Sequence, residues 1–279
     1  MLIDTHAHLN FNNFQDDADE VIQRSLAADT WMINIGADYK TSKRGLNYAN
    51  HYEKGVYAAV GLHPMHIFSF RAKSQDYDFH TRGEDFNYDI YEKLAKFEKV
   101  VAIGEIGLDY YHLDIGHEIN VIKKKQQEVF LSQLLLARRL DLPAIIHCRQ
   151  AHDDMIKLLN DFRKKNKELM PADRPWGVMH CFSGDEDLAW QYFNLGLIIS
   201  FTGLITFSQQ WDELIRKLSF EKFMVETDCP FMTPEPFRGK RNEPELVKYV
   251  ARRIAEIKGV DISKVATGTT KTAKQFFNI

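Results

Sequence analysis

The sequence is most informative first in what it lacks. No window approaches the apolar length of a membrane-spanning helix. The start carries neither the charged region nor the long apolar region of a secretory signal, because Asp4 and His6 interrupt the first apolar run at once. A cytoplasmic location is therefore expected. Cysteine is scarce: Cys148, Cys181 and Cys229 are widely spaced, odd in number and free of any CxxC pair. That excludes a disulfide framework and suits a reducing compartment. An excess of positive charge is missing too. The formal net charge is -3, whereas a protein that coats nucleic acid non-specifically is usually basic. An enzyme touching nucleic acid only at a pocket needs no such excess.

What is present is a rhythm. Eight short apolar runs recur: MLIDTH, TWMINIGA, GVYAAVGLH, VVAIGEIGLD, LPAIIHCR, WGVMHCFSG, GLIISFTG and KFMVETDCP. Charge-rich segments with apolar residues at helical spacing separate them, such as DDADEVIQRSLAAD, KKQQEVFLSQLLLARRLD and HDDMIKLLNDFRKKN. Near-continuous apolar strands alternating with helices predict a parallel sheet covered on both faces. Eight such units in 279 residues predict a single α/β domain over residues 1–279, a (β/α)8 TIM barrel. An open doubly wound sheet is the other arrangement this rhythm allows. Two segments break the pattern. Residues 67–88 are polar and aromatic and read as an extended loop, with room for a short helix. Residues 230–244 carry four prolines and the basic residues Arg238, Lys240 and Arg241, and read as a long loop after the eighth strand. Two helices around the GVDIS turn close the chain.

In a parallel barrel the site lies at the C-terminal ends of the strands. Strand one ends in His6 and His8, which strand pleating would point the same way. His63 ends the third strand, before Pro64. The fourth supplies Glu105 and then Asp109, the fifth His147 and Arg149, the sixth His180, and the eighth Glu226 and Asp228. Five of the eleven histidines thus fall at strand ends, which chance scatter does not produce. Asp109 and Glu226 suit either helix capping or the orientation of a neighbouring His or Arg. His66, His112 and His152 are expected in loops or on the surface.

Four histidines (His6, His8, His147 and His180) with two carboxylates suit two divalent cations, and the mixed donor set favours zinc, manganese or iron while leaving magnesium possible. Such a pair lowers the pKa of a shared water and polarises the group it attacks. Glu105, from a strand midway between the others, is best placed to bridge. An i, i+2 histidine pair lets one strand supply two ligands to one ion.

The stretches DTHAHLNF, VGLHP, AIGEIGLDYY, IIHCR, HCFSG, ETDCP and GKRNEP, in this order from residue 4 to 244, resemble the TatD family of metal-dependent hydrolases, within the amidohydrolase-like barrels. The closing IAEIKGV and TTKTAKQFF extend the resemblance almost to the end, with Lys271 where the family more often has Asn. The polar insertion at residues 69–87 is longer than the family needs. The resemblance implies that His6, His8 and Asp228 hold one cation, that His147 and His180 hold the other, and that Glu105 bridges. It implies that Asp228 also accepts a proton from the attacking water, and that His63 and Arg149 face the substrate.

The implied activity is a deoxyribonuclease trimming single-stranded DNA from 3′ ends with Mg, Mn or Zn. Arg149, Arg238, Lys240 and Arg241 are candidate phosphate contacts. Tyr110, Tyr111, Phe201 and Phe231 are candidates for stacking on unpaired bases. The alternative within the same scaffold is a D-aminoacyl-tRNA deacylase, an ester hydrolase using the same pair of cations. The complete ligand set argues against a third possibility, a non-catalytic binding protein.

Overall fold

The computed structural model describes residues 1–73, 78–111, 113 and 119–279. Ten strands form. They are β1 (Leu2–Ala7), β2 (Thr30–Ile35), β3 (Val56–Val60), β4 (Ser69–Lys73), β5 (Asp78–Arg82), β6 (Val100–Asp109), β7 (Ala144–Arg149), β8 (Gly177–Met179), β9 (Leu197–Phe201) and β10 (Phe223–Val225). All but the β4–β5 pair join one eight-stranded sheet in the order β1-β2-β3-β6-β7-β8-β9-β10, and the printed pairings are parallel. The ring is nearly closed where β1 meets β10. Ala7 and Cys229 form a parallel bridge, His8 N–H donates to Cys229 O at 2.9 Å, and Asp228 N–H donates to His6 O at 2.9 Å.

Helices alternate with these strands: α1 (Ala18–Ala27), α2 (Tyr39–Asn50), α3 (Tyr88–Ala95), α4 (Ile119–Arg139), α5 (His152–Lys165), α6 (Glu186–Asn194), α7 (Asp212–Lys217) and α8 (Val247–Lys258). A further helix, α9 (Ile262–Phe277), follows the barrel. The expected (β/α)8 barrel is therefore the observed architecture, with the eight apolar runs as its staves. Local chemistry explains the helix starts. Asp38 and Thr41 form a reciprocal capping box on α2, and Asp185 accepts from Leu188 N–H at the start of α6. Among the described residues no helix is long and apolar enough to cross a membrane.

Two apolar clusters hold the barrel. One draws Ile3, Ile33, Ala59, Val101, Ile145, Val178, Ile198 and Met224 from the eight staves, so it fills the lumen. Phe276 and Phe277 at the end of α9 pack into this cluster, away from the strands' C-terminal ends. The larger cluster lies between strands and helices. Each fully buried Leu, Ile or Phe here contributes about 1.5–3 kcal/mol relative to exposure. The lumen filling leaves the strands' C-terminal ends as the place where polar side chains converge.

The segment 67–88 differs from the expected loop. It contains an antiparallel hairpin, β4 against β5, with Ser69 opposite Arg82 and Lys73 opposite Asp78. A two-stranded ribbon separate from the main sheet needs no long apolar run, so periodicity gives no sign of it. Residues 230–243 form the expected long loop.

Candidate metal centre

Each sheet strand except β2 and β9 delivers a titratable side chain to the barrel mouth. His6 and His8 bring their Nε2 atoms within 3.1 Å of each other. Glu105 reaches them from across the ring, its Oε2 lying 3.4 Å from His6 Nε2 and 3.7 Å from His8 Nε2. Asp228 Oδ1 lies 3.4 Å from His8 Nε2 and 3.8 Å from His6 Nε2. The other oxygen of Glu105 faces a different group. Its Oε1 is 2.6 Å from His180 Nε2, 2.9 Å from His147 Nδ1 and 3.5 Å from His63 Nε2. His147 Nδ1 and His180 Nε2 are 3.3 Å apart. The single carboxylate of Glu105 is thus shared between two clusters of nitrogen donors.

The outer atoms of the rings set which nitrogen carries a proton. His8 Nδ1 sits 2.9 Å from the carbonyl of Ile35, which can only accept, so Nε2 keeps its lone pair. His147 Nε2 is 3.2 Å from Asp109 Oδ2, which leaves Nδ1 the donor to a cation. His180 Nδ1 faces Glu226 Oε1 at 3.6 Å, and that oxygen also accepts Cys181 N–H at 2.6 Å. Asp109 and Glu226 therefore orient histidines. His63 is different: its Nδ1 accepts Met65 N–H at 3.1 Å, so its proton is on Nε2, and it is a hydrogen-bond donor towards the site.

Charge follows the same geometry. Burial disfavours the charged form of His147, but hydrogen bonds to Asp109 and Glu105 outweigh it and hold the ring up at about 9. Burial also opposes charge on His180, yet Glu105 and Glu226 raise it well above the ordinary value. Burial lowers His6, and pushes His63 down to about 4. Burial of Glu105 would raise it, but the surrounding histidines, led by His180 and His63, hold it well below the ordinary value. Asp228 is likewise lowered against its burial, chiefly by His8 and His6.

These donors fit divalent cations. Ligand atoms held about 2.1 Å from one ion stand about 3.0–3.4 Å apart in octahedral or tetrahedral arrangements. The nitrogens and oxygens above are 2.6–3.8 Å apart. His6–His8–Asp228 and His63–Glu105–His147 each place one ligand atom per residue within 4.8 Å of one another, as does His6–His180–Glu226. Among the described residues His6 Nδ1 is buried without a hydrogen-bond partner, and His180 Nδ1 has only its 3.6 Å charge contact with Glu226.

The strand-end residues expected from the sequence, His6, His8, His63, Glu105, His147, His180 and Asp228, all converge here. Arg149 is on the rim, exposed, with its guanidinium carbon 3.9 Å from the ring centre of Tyr111. Other expectations differ. Phe201 is 1% exposed and packs on Phe223, so it cannot meet a base. Tyr110 is half-buried and donates to Asp154 at 2.8 Å. Arg241 is tied to Asp17, Glu243 and Asn13 O, so its charge is spent within the fold. His66 lies in the connection after β3, 3.6 Å from Asp38, as expected of a loop residue, whereas His152 begins α5 and is half-buried with Nδ1 2.8 Å from Tyr192 OH. His112 lies outside the described residues. All three cysteines are free, and Cys229 is buried.

Sequence reading missed Asp4 and Thr227. Asp4 Oδ1 accepts Thr227 N–H at 2.8 Å, and Oδ2 accepts the Thr227 hydroxyl at 2.5 Å. Thr227 Oγ1 in turn accepts Cys229 N–H at 3.1 Å. This buried clasp fixes the backbone on both sides of Asp228, which adopts a left-handed φ of 55°. The only signal in the sequence was an acid inside an apolar strand two residues before His6.

Comparison with known proteins gives a consistent result. The family model described as TatD related DNase matches residues 3–278. The uncharacterized metal-dependent hydrolase YabD of Bacillus subtilis is 38% identical, with 100% of both chains covered. A protein of Escherichia fergusonii named 3′-5′ ssDNA/RNA exonuclease TatD is 28% identical, covering 100% of this chain and 99% of its own. Among solved structures, the TatD homologue YjjV of Escherichia coli superposes with a TM-score of 0.80 at 29% identity, covering 100% and 98% of the two chains.

Proposed function

The chain belongs to the TatD-related DNase family, as a metal-dependent hydrolase, and from that premise we propose that it is a two-metal deoxyribonuclease that shortens single-stranded DNA from the 3′ end. The observation that carries the reading is the division of Glu105, one oxygen towards each cluster of nitrogens. His6, His8 and Asp228 would hold one cation and His147 and His180 the other, with Glu105 shared. Two such cations, when bound, make water a nucleophile at neutral pH and withdraw charge from the phosphate.

The chain's own groups do the rest. Asp228 is kept ionised in a buried site, so it can accept the proton of the attacking water. Water attacks phosphorus and the P–O3′ bond breaks. The proton passes through Asp228 to the leaving 3′ oxygen. His63, neutral with its proton on Nε2, donates to a phosphate oxygen. Arg149 contributes a guanidinium at the rim for the next phosphate. Asp109 and Glu226 keep the His147 and His180 rings aimed. The direction of trimming is supported by the printed name of the Escherichia fergusonii relative.

The test is hydrolysis of 5′-labelled and 3′-labelled single-stranded DNA after chelation and reloading with magnesium, manganese or zinc. The expected result is a descending ladder from the 5′-labelled strand and immediate release of labelled mononucleotide from the 3′-labelled one. Glu105→Ala should give neither. A folded, metal-loaded protein that shortens neither strand overturns the nuclease reading and makes D-aminoacyl-tRNA the next substrate.

A further inference from the structure

We infer that Phe207, Arg238 and Phe231 form a ledge on the barrel rim that stacks the unpaired bases of a single-stranded nucleic acid. The identity of the ligand rests on the nuclease reading above. The ledge itself rests on its own geometry.

Phe207 follows β9 and is 43% exposed, and Phe231 follows β10 and is 46% exposed. Phe231 is held close to the metal centre by a turn. Its N–H donates to Asp228 O at 2.9 Å, and its carbonyl accepts Asn242 Nδ2 at 2.6 Å. A ring three residues from Asp228 and left half in water contributes little to packing and is free to meet a ligand that enters the site. Phe207 has a partner of a particular kind: the Arg238 guanidinium carbon stands 4.0 Å from its ring centre. Arg238 is exposed and makes one long hydrogen bond, 3.4 Å to Thr233 O. Among the described residues it has no carboxylate partner, unlike Arg241 nearby. A flat cation with free N–H edges over one aromatic face, on a loop continuous with a second exposed ring, matches a phosphate next to stacked bases.

The support beneath is stiff. A Cβ on Gly203 would stand 2.1 Å from Met232 O, so the two loops touch backbone to backbone. Thr206 Oγ1 accepts Glu235 N–H at 2.9 Å across the same seam. The opposite wall repeats the pairing, with Arg149 over Tyr111. Tyr111 follows β6 and Phe231 follows β10, which are fourth and eighth in the eight-strand order and so half a turn apart. Bases in a duplex have both faces covered by neighbours, so such a ledge selects unpaired strands.

The experiment is fluorescence anisotropy of a labelled, phosphorothioate-linked oligothymidylate with the metal-loaded protein, beside the same backbone carrying abasic sites. The wild type should bind the base-bearing strand about tenfold or more tightly. Phe231→Ala and Phe207→Ala should each lose most of that preference while binding the abasic strand as the wild type does, and Phe231→Trp should keep it. Equal binding of both strands by the wild type overturns the ledge without recourse to any variant. Equal losses on both strands in the alanine variants overturn it as well. Base preference without hydrolysis of ordinary DNA would sink the nuclease reading and leave the ledge. Hydrolysis without base preference would do the reverse.

Discussion

Replacing Thr227 by Val preserves the shape of a buried side chain and deletes one oxygen. Thr227 and Asp4 are both 0% exposed, so water cannot take the place of what is lost. The deletion leaves Asp4 Oδ2 without its donor and Cys229 N–H without its acceptor. Each buried polar group left unpaired costs about 1–3 kcal/mol, so Thr227→Val should lower unfolding stability by about 2–6 kcal/mol. Burial already pushes the Asp4 carboxyl well up, and the Thr227 bonds bring it only part of the way back. The same clasp places Asp228, so the variant should also bind metal about 10–100-fold more weakly. Urea unfolding at low temperature measures the first effect and metal titration the second. Two comparators keep the result interpretable. Thr227→Ser keeps the oxygen and should lose about 1 kcal/mol for the missing methyl. Ser200→Ala removes a buried hydroxyl that has no partner, and should change little. If Thr227→Val unfolds within about 0.5 kcal/mol of the wild type, where most neutral substitutions fall, the clasp reasoning is refuted.

Other outcomes follow from the same geometry. Arg149→Ala should keep full metal content by elemental analysis and raise KM for single-stranded DNA; metal loss equal to that of Glu105→Ala would contradict its place at the rim. Gly107 has a φ of 147°, and a Cβ there would stand 1.9 Å from His147 O, so Gly107→Ala should yield little folded protein or lose metal binding, as circular dichroism and metal content would report. Asp38 shows a pH effect of definite sign. Burial would raise its carboxyl, but hydrogen bonds from His66 and Thr41 bring it down to about 2. A depressed folded value stabilises above the unfolded value near 3.9, by about 2 kcal/mol, and that contribution is lost as pH falls towards 2. The stability gap between wild type and Asp38→Asn should therefore shrink as pH falls below about 4; a gap unchanged between pH 5 and 3 would contradict it.

Much of this was legible in the sequence because a parallel barrel is buried on both faces. Each stave must be an apolar run, and its polar terminus stands out by contrast. The pair His6 and His8 could be read at once, since a two-residue repeat is a local property. What lay hidden was relational. Asp109 and Glu226 gained their roles only from His147 and His180, which come from other strands. Arg241 looked like a phosphate contact until Asp17, from the first loop of the barrel, was found against it. Phe201 sits at a strand end as expected, but strand pleating turns its ring onto Phe223. The β4–β5 ribbon pairs outside the eight-stranded sheet, and a ribbon of two short strands leaves little periodic trace.

The most direct test of the account is metal content per folded chain, measured by elemental analysis after dialysis against excess manganese or zinc, for the wild type and Glu105→Ala. A shared carboxylate between two donor clusters requires two equivalents in the wild type and a loss of both, or near loss, in Glu105→Ala. A wild type that saturates at one equivalent, or a Glu105→Ala protein that still holds two, would contradict it.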